Sequence, residues 1–85
     1  MNVTIACGGI RSREELHRVF AQALALPETY GRNLDALHDV LTDMTGTLRL
    51  EDWEQAREAL GRYGMMAEKA IAAAAMENEK LDVIF

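Results

Sequence analysis

Asp35, Asp39 and Asp43 recur at every fourth position, and no lysine or arginine stands between positions 33 and 48 to neutralise them. On a helix, side chains four apart are neighbours at about 6 Å, a spacing at which carboxylates can stand in for successive phosphates of a nucleic-acid backbone. Two like charges at that distance repel by only ~0.7 kcal/mol in bulk water, and by several-fold more once water is excluded. The plain reading of the row is a solvated polar face. The functional reading is a cation-binding face that matters once a basic protein closes over it. Two neighbours favour the second. The loop feeding the row carries Tyr30 and Gly31, an aromatic anchor beside a residue that permits close backbone approach. Tyr30 reads equally well as packing under that loop or as a partner contact. His38 borders the acidic stripe, where it could stack on a partner or take up a proton near neutral pH.

Other chemistry finds little support. Cys7 with His17 or His38 would be a nucleophile–base pair. Yet Cys7 ends a β-like stretch beside Gly8-Gly9 and reads as a small buried hydrophobe. The same glycines lack the Gly-Lys-Ser/Thr of a phosphate-binding loop. His17 reads as lying on an exposed helix flank, where Glu14 and Glu15 would repel an added phosphate. Ser12 lacks the flanking residues of a carrier-protein attachment site. Two histidines and one cysteine, widely spaced, make no metal-ligand set. The expectation is therefore no catalytic residue, no metal and no cofactor, and a chain that is not an enzyme. Met65 and Met66 read as core or helix-start packing, and Trp53, at helical spacing with Ala56 and Leu60, as core.

The elements that must carry the acidic row follow from periodicity. Residues 2–6 alternate and are β-branched, which predicts a strand. Ser12, three residues before Glu15, predicts a helix start, and Leu16, Val19, Phe20, Ala23 and Leu24 form its apolar face, with Pro27 as its stop. Asn33 is the expected N-cap of a second helix, about 34–43. At about 100° per residue, its Leu34, Leu37, Val40 and Leu41 share one side, and the three aspartates fall opposite. A second strand is expected over 47–50, and a third helix from Trp53 to Leu60, closed by Gly61 or Gly64. A fourth, Ala-rich helix is expected over 66–79, then a final strand over 81–85. Three strands separated by helices allow only crossover connections, so the fold class is α/β: a small three-stranded parallel sheet packed by about four helices.

Composition bounds the function further. Eighty-five residues make one domain, 1–85, with modest stability. A net charge of −5 argues against nucleic acid as a direct ligand and for steering toward basic proteins. No apolar run approaches the ~20 residues of a membrane span, so no membrane contact is expected. The single cysteine fits a reducing, cytoplasmic setting.

Two segments are similar to a known family. Ile10-Arg-Ser-x-x-Glu15-Leu-His17 and Leu24-Ala-Leu-Pro-Glu-x-Tyr30-Gly-x-Asn33-Leu-Asp-Ala-Leu-x-Asp39 resemble the barstar family. Its members are intracellular inhibitors of a secreted ribonuclease. The dense part of the likeness covers residues 10–41, and element order agrees elsewhere. The resemblance implies a bacterial ribonuclease inhibitor or immunity protein, monomeric when free, that binds 1:1 to a basic extracellular or toxin ribonuclease. Its loop and second helix would plug the nuclease cleft. Asp39 would be the main anchor and Asp35 its neighbour, with Asn33, Leu34 and Gly31 at the rim. The chain departs from the family at His38, where barstar has tryptophan, and at Thr29, where it has tyrosine. A further family acid on the last helix falls near Ala75 or Met76, with Glu77 the closest carboxylate. Those departures keep a second reading open: an interaction module for another basic protein, without ribonuclease inhibition.

Overall fold

The computed structural model describes residues 1–85. In chain order its elements are β1 (Asn2–Ala6), α1 (Arg13–Ala23), α2 (Leu34–Thr42), β2 (Gly46–Glu51), α3 (Trp53–Leu60), α4 (Arg62–Glu77) and β3 (Leu81–Ile84). The three strands form one parallel sheet in the order β1-β2-β3, with Val3, Leu48 and Val83 in register across it. This is the expected α/β class, with three parallel strands and four helices.

Both crossovers step one strand over in the same direction, so right-handed connections lay all the helices on one face of the sheet. Burial shows the result. Ile5, Leu48, Leu50 and Leu81 are buried, whereas Thr4, Ala6, Arg49, Glu51, Asp82 and Ile84 are exposed. Parallel sheets usually have both faces covered. Here the period-two alternation of each strand reports one open face.

Helix α1 starts as the sequence predicts: Ser12 Oγ accepts from the Glu15 N–H at 3.1 Å. The Glu15 carboxylate reaches back one residue further than a standard capping box and accepts from the Arg11 N–H at 3.1 Å. The helix does not wait for Pro27 to end. The Ala25 N–H donates to the Gln22 carbonyl and the Leu26 N–H to the Ala21 carbonyl, with Ala25 at φ 52°. That pattern is a Schellman closure with alanine at the position that favours glycine.

Helix α4 begins at Arg62 rather than at 66. Gly61, at φ 61°, ends α3 and starts α4 in one residue. Gly64 then lies inside α4 at the α3–α4 corner, where a methyl group would run into the Arg57 carbonyl. Trp53 is core as expected, and its indole N–H donates to Glu68 at 2.8 Å. Met65 and Met66 are not core: they are 58% and 49% exposed, because the buried stripe of α4 runs through Gly64, Ala67, Ile71 and Ala74 and they fall beside it. No helix is long and apolar enough to cross a membrane.

The largest departure is His17. It was expected on an exposed flank, yet it is only 2% exposed. Its Nδ1 lies 2.7 Å from the Tyr30 hydroxyl and its Nε2 2.6 Å from the Tyr63 hydroxyl. The imidazole therefore ties α1 to the loop before α2 and to α4. Burial, reinforced by Arg13 and Arg32, lowers its pKa from the ordinary 6.5, so it is neutral. A neutral ring has one donor and one acceptor. Tyr30, the more buried phenol, has no other partner and must donate to Nδ1. Nε2–H then donates to Tyr63, whose own proton can face water. Burial pushes the Tyr30 phenol up to about 12, so it keeps that proton.

Two predictions follow from this frame. Ala25→Gly relieves the left-handed alanine and should stabilise the protein by up to about 1 kcal/mol, read as a higher urea midpoint at unchanged slope. His17 has its pKa lowered on folding, so its contribution to stability is present above about 6.5 and lost as pH falls through the native value. Denaturation midpoints should therefore drop on acidification from neutral pH. In His17→Gln that drop should shrink, on top of an overall loss of about 1–3 kcal/mol for the broken clasp. A drop of equal size in His17→Gln would assign it to other groups.

Candidate functional site

The acidic row stands on α2, and the chain before α2 is fixed from two sides. The Tyr30 side chain is buried in the clasp, and the Tyr30 N–H donates to the Pro27 carbonyl at 3.0 Å. Tyr30 thus packs under the loop, and it also lines an open cavity with Arg18, Pro27 and Arg32. Asn33 caps the helix as expected, its Oδ1 accepting from the Ala36 N–H at 2.8 Å, while its Nδ2 donates to the Gly31 carbonyl at 3.2 Å. Between these anchors Arg32 is held at φ 52°, a conformation that costs a non-glycine residue about 1–2 kcal/mol. Gly31 lies close to Asn33 and Ala36, so its lack of a side chain lets the loop fold onto the start of α2.

The far end of α2 is closed from another element. Asn78 Nδ2 donates to the Leu41 carbonyl at 3.0 Å and to the Met44 carbonyl at 2.6 Å. A neutral amide thus satisfies carbonyls that a lysine or arginine often serves, and the helix end gains no positive charge.

The two sides of α2 separate as the spacing predicts. Leu37 and Leu41 are buried, with Leu34 and Val40 half-buried against the core. Asp35, Asp39 and Asp43 are exposed, the Asp39 side chain to 84%. Asp43 is the C-cap rather than a helical residue, where its charge opposes the helix dipole. No lysine or arginine pairs with any of the three. Thr29, Gly31 and Asn33 are exposed on the loop beside them. Leu34 and Asp35 line a cleft of about 450 Å³ between α2 and α4, with His38, Met66, Lys69 and Ala70.

His38 is turned toward α4. Its Nε2 lies 2.7 Å from Glu77 Oε2, and its Nδ1 3.7 Å from Asp39 Oδ1. The Glu77 hydrogen bond, with its charge and Asp39, raises the His38 pKa above 6.5. Glu77 thereby joins the acidic face from a second helix. Its place in the chain gives no periodic signal for that; only the packing of α2 on α4 brings it there.

Cys7 is fully buried, and burial, with Asp52 and Glu51 nearby, pushes its thiol up to about 11. No three His, Cys, Asp or Glu side chains converge to hold a metal ion.

Comparison with known proteins places the chain by its sequence. A family model described as "Barstar (barnase inhibitor)" matches residues 1–85. A protein of Bacillus subtilis (strain 168) named "Putative ribonuclease inhibitor YrdF" is 45% identical over 53 residues, or 59% of this chain. The match spans 58% of that relative's length.

Because the acidic row depends on a helix started by one side chain, Asn33→Ala should cost about 1 kcal/mol of stability. Asn33→Asp should restore most of it, as read by urea denaturation. Equal losses in both variants would mean that the amide donor to Gly31, not the cap, is the contribution that matters.

Proposed function

The chain belongs to the barstar family, and on that premise we propose that it inhibits a small basic ribonuclease by occupying its active-site cleft. The observation that carries this reading is the face of α2: exposed aspartates, unpaired with any lysine or arginine, on a helix locked at both ends. A stability-optimised helix would interleave cations there. The relative named as a ribonuclease inhibitor supports the same reading.

In this mechanism Asp39 and Asp35 take the place of substrate phosphates and meet the cationic groups that a ribonuclease uses to hold RNA. Thr29, Gly31, Asn33, Leu34 and His38 form the rim that excludes water, which strengthens each charge pair inside. Asp43 and the net charge of −5 steer the encounter. Inhibition is steric and electrostatic, 1:1, with no cofactor and no turnover, by a monomer acting in the cytoplasm on a secreted or toxin nuclease. One observation favours the alternative of a non-inhibitory module for another basic protein. His38, where barstar has tryptophan, is tied to Glu77 rather than free to stack on a partner.

The test is titration of the chain and of Asp39→Ala into barnase and several other small basic ribonucleases, followed by RNA cleavage. Stoichiometric inhibition of at least one is expected. Asp39→Ala should weaken it by more than about tenfold, or 1.4 kcal/mol. The loss should lie mainly in the dissociation rate, the behaviour for which the barnase–barstar pair itself is the reference case. Asp43→Ala should change mostly the association rate and its salt dependence. Equal, small effects at Asp35, Asp39 and Asp43 would overturn these roles, and inhibition of no ribonuclease would turn the reading to the interaction module.

A further inference from the structure

His38 sits between two carboxylates on two helices, Glu77 at 2.7 Å from Nε2 and Asp39 at 3.7 Å from Nδ1. A neutral imidazole has one N–H, so only the imidazolium donates toward both. The charged groups that face the ring are Glu77 and Lys69 from α4, and Asp39 and Asp35 from its own helix. Lys69 pairs with none of these acids. When protonated, His38 is the cation of this chain that lies nearest the Asp39 end of the face. A partner cation that arrives at Asp39 then meets a ring holding positive charge, and two cations cannot share one carboxylate pair without repulsion. A neutral ring has somewhere to go: the adjoining cleft is lined by the apolar side chains of Leu34, Met66 and Ala70.

We propose, resting on the inhibitor reading above, that Glu77, His38 and Asp39 form a proton-operated latch on the binding face. Protonated, His38 closes the latch by occupying both carboxylates. A guanidinium or ammonium of the partner opens it: the cation takes over Asp39 and Glu77, the ring leaves, and its proton passes to solvent. No covalent bond changes. Binding is thereby coupled to pH and tightens as pH rises, by about tenfold per pH unit at most for one proton released. The Glu77 hydrogen bond, which makes the free ring hold its proton more strongly, is the element that sets how far the latch extends toward neutral pH.

The first test needs no nuclease. The ring protons of His38, assigned with His38→Gln, are titrated by NMR in the full-length chain with and without hexa-arginine. The peptide is used at a concentration that shifts the amide signals of α2. The latch predicts a lower titration midpoint for His38 in the presence of the peptide, and a lower one again in Glu77→Gln without it. Midpoints unmoved in both overturn the latch. The second test takes any ribonuclease the chain inhibits and compares Kd at about pH 6 and about pH 8 for wild type and His38→Gln. Titrations belonging to the nuclease are common to both and cancel in the ratio. Wild type should gain at least about threefold more affinity than His38→Gln over that interval. Equal gains also overturn it. If hexa-arginine moves the His38 midpoint but no ribonuclease binds, the latch stands and the inhibitor reading falls.

Discussion

A buried imidazole flanked by two phenols has little freedom, and the arrangement of this molecule follows from that restriction. His17 is buried with a phenol hydrogen-bonded to each ring nitrogen, so it holds Tyr30 and Tyr63 in place together. One phenol belongs to the loop that feeds α2 and the other to the first turn of α4. The clasp thus fixes the start of α2 relative to α4, while Asn78 fixes its end from the opposite terminus of the same partner helix. Two attachments to one long helix set both the position and the tilt of α2. Its exposed side can then be composed for something other than stability.

The use made of that freedom is visible in the charges. An acid at the helix C-terminus and like charges at i, i+4 spacing each cost a few tenths of a kcal/mol, partly offset by Asp35 in the first turn; these are small beside the burial of Leu37 and Leu41, at about 1.5–3 kcal/mol each. The fold tolerates the row because apolar packing, not surface electrostatics, holds the helix. Strain is distributed likewise. Arg32 in the left-handed region lies between the Tyr30 anchor and the Asn33 cap, where neighbours on both sides dictate its backbone. Ala25, in the same conformation, closes α1 and sets the direction in which the loop departs. Two of the three non-glycine residues in the left-handed region thus belong to the segment that presents the face; the third, Asp52, precedes α3.

How much of this was legible in the sequence depends on the range of the interaction. Alternation in residues 2–6, the Ser12 and Asn33 caps, and the split of α2 into leucine and aspartate sides are local and period-driven, and each is where the residues placed it. The Schellman turn hid behind Pro27 because alanine is a poor signal for a left-handed position. The start of α4 is not legible because Gly61 and Gly64 read alike as helix ends, whereas only packing against Arg57 tells a capping glycine from one needed for close approach. Met65 and Met66 are exposed because they flank the buried stripe of Gly64, Ala67, Ile71 and Ala74. His17 lies one residue off the center of an apolar stripe, and only two tyrosines 13 and 46 residues away make it core. Glu77 reaches His38 across 39 residues. Such juxtapositions have no period, so no pattern along the chain could disclose them.

The two histidines, placed by those long-range contacts, respond to protons in opposite senses. Burial lowers the pKa of His17, so the frame is supported above about 6.5 and weakened as pH falls through the native value. Carboxylates raise that of His38, so its pairing with Glu77 and Asp39 is present below 6.5 and lost as pH rises through its own value. In stability the two oppose each other. In the display of the acidic face they agree, because acid loosens the clasp that positions α2 and at the same time covers Asp39 with a cation of the protein's own. On the proposed reading, in which the face binds through unneutralised carboxylates, it is most available where the frame beneath it is also firmest, at neutral pH and above.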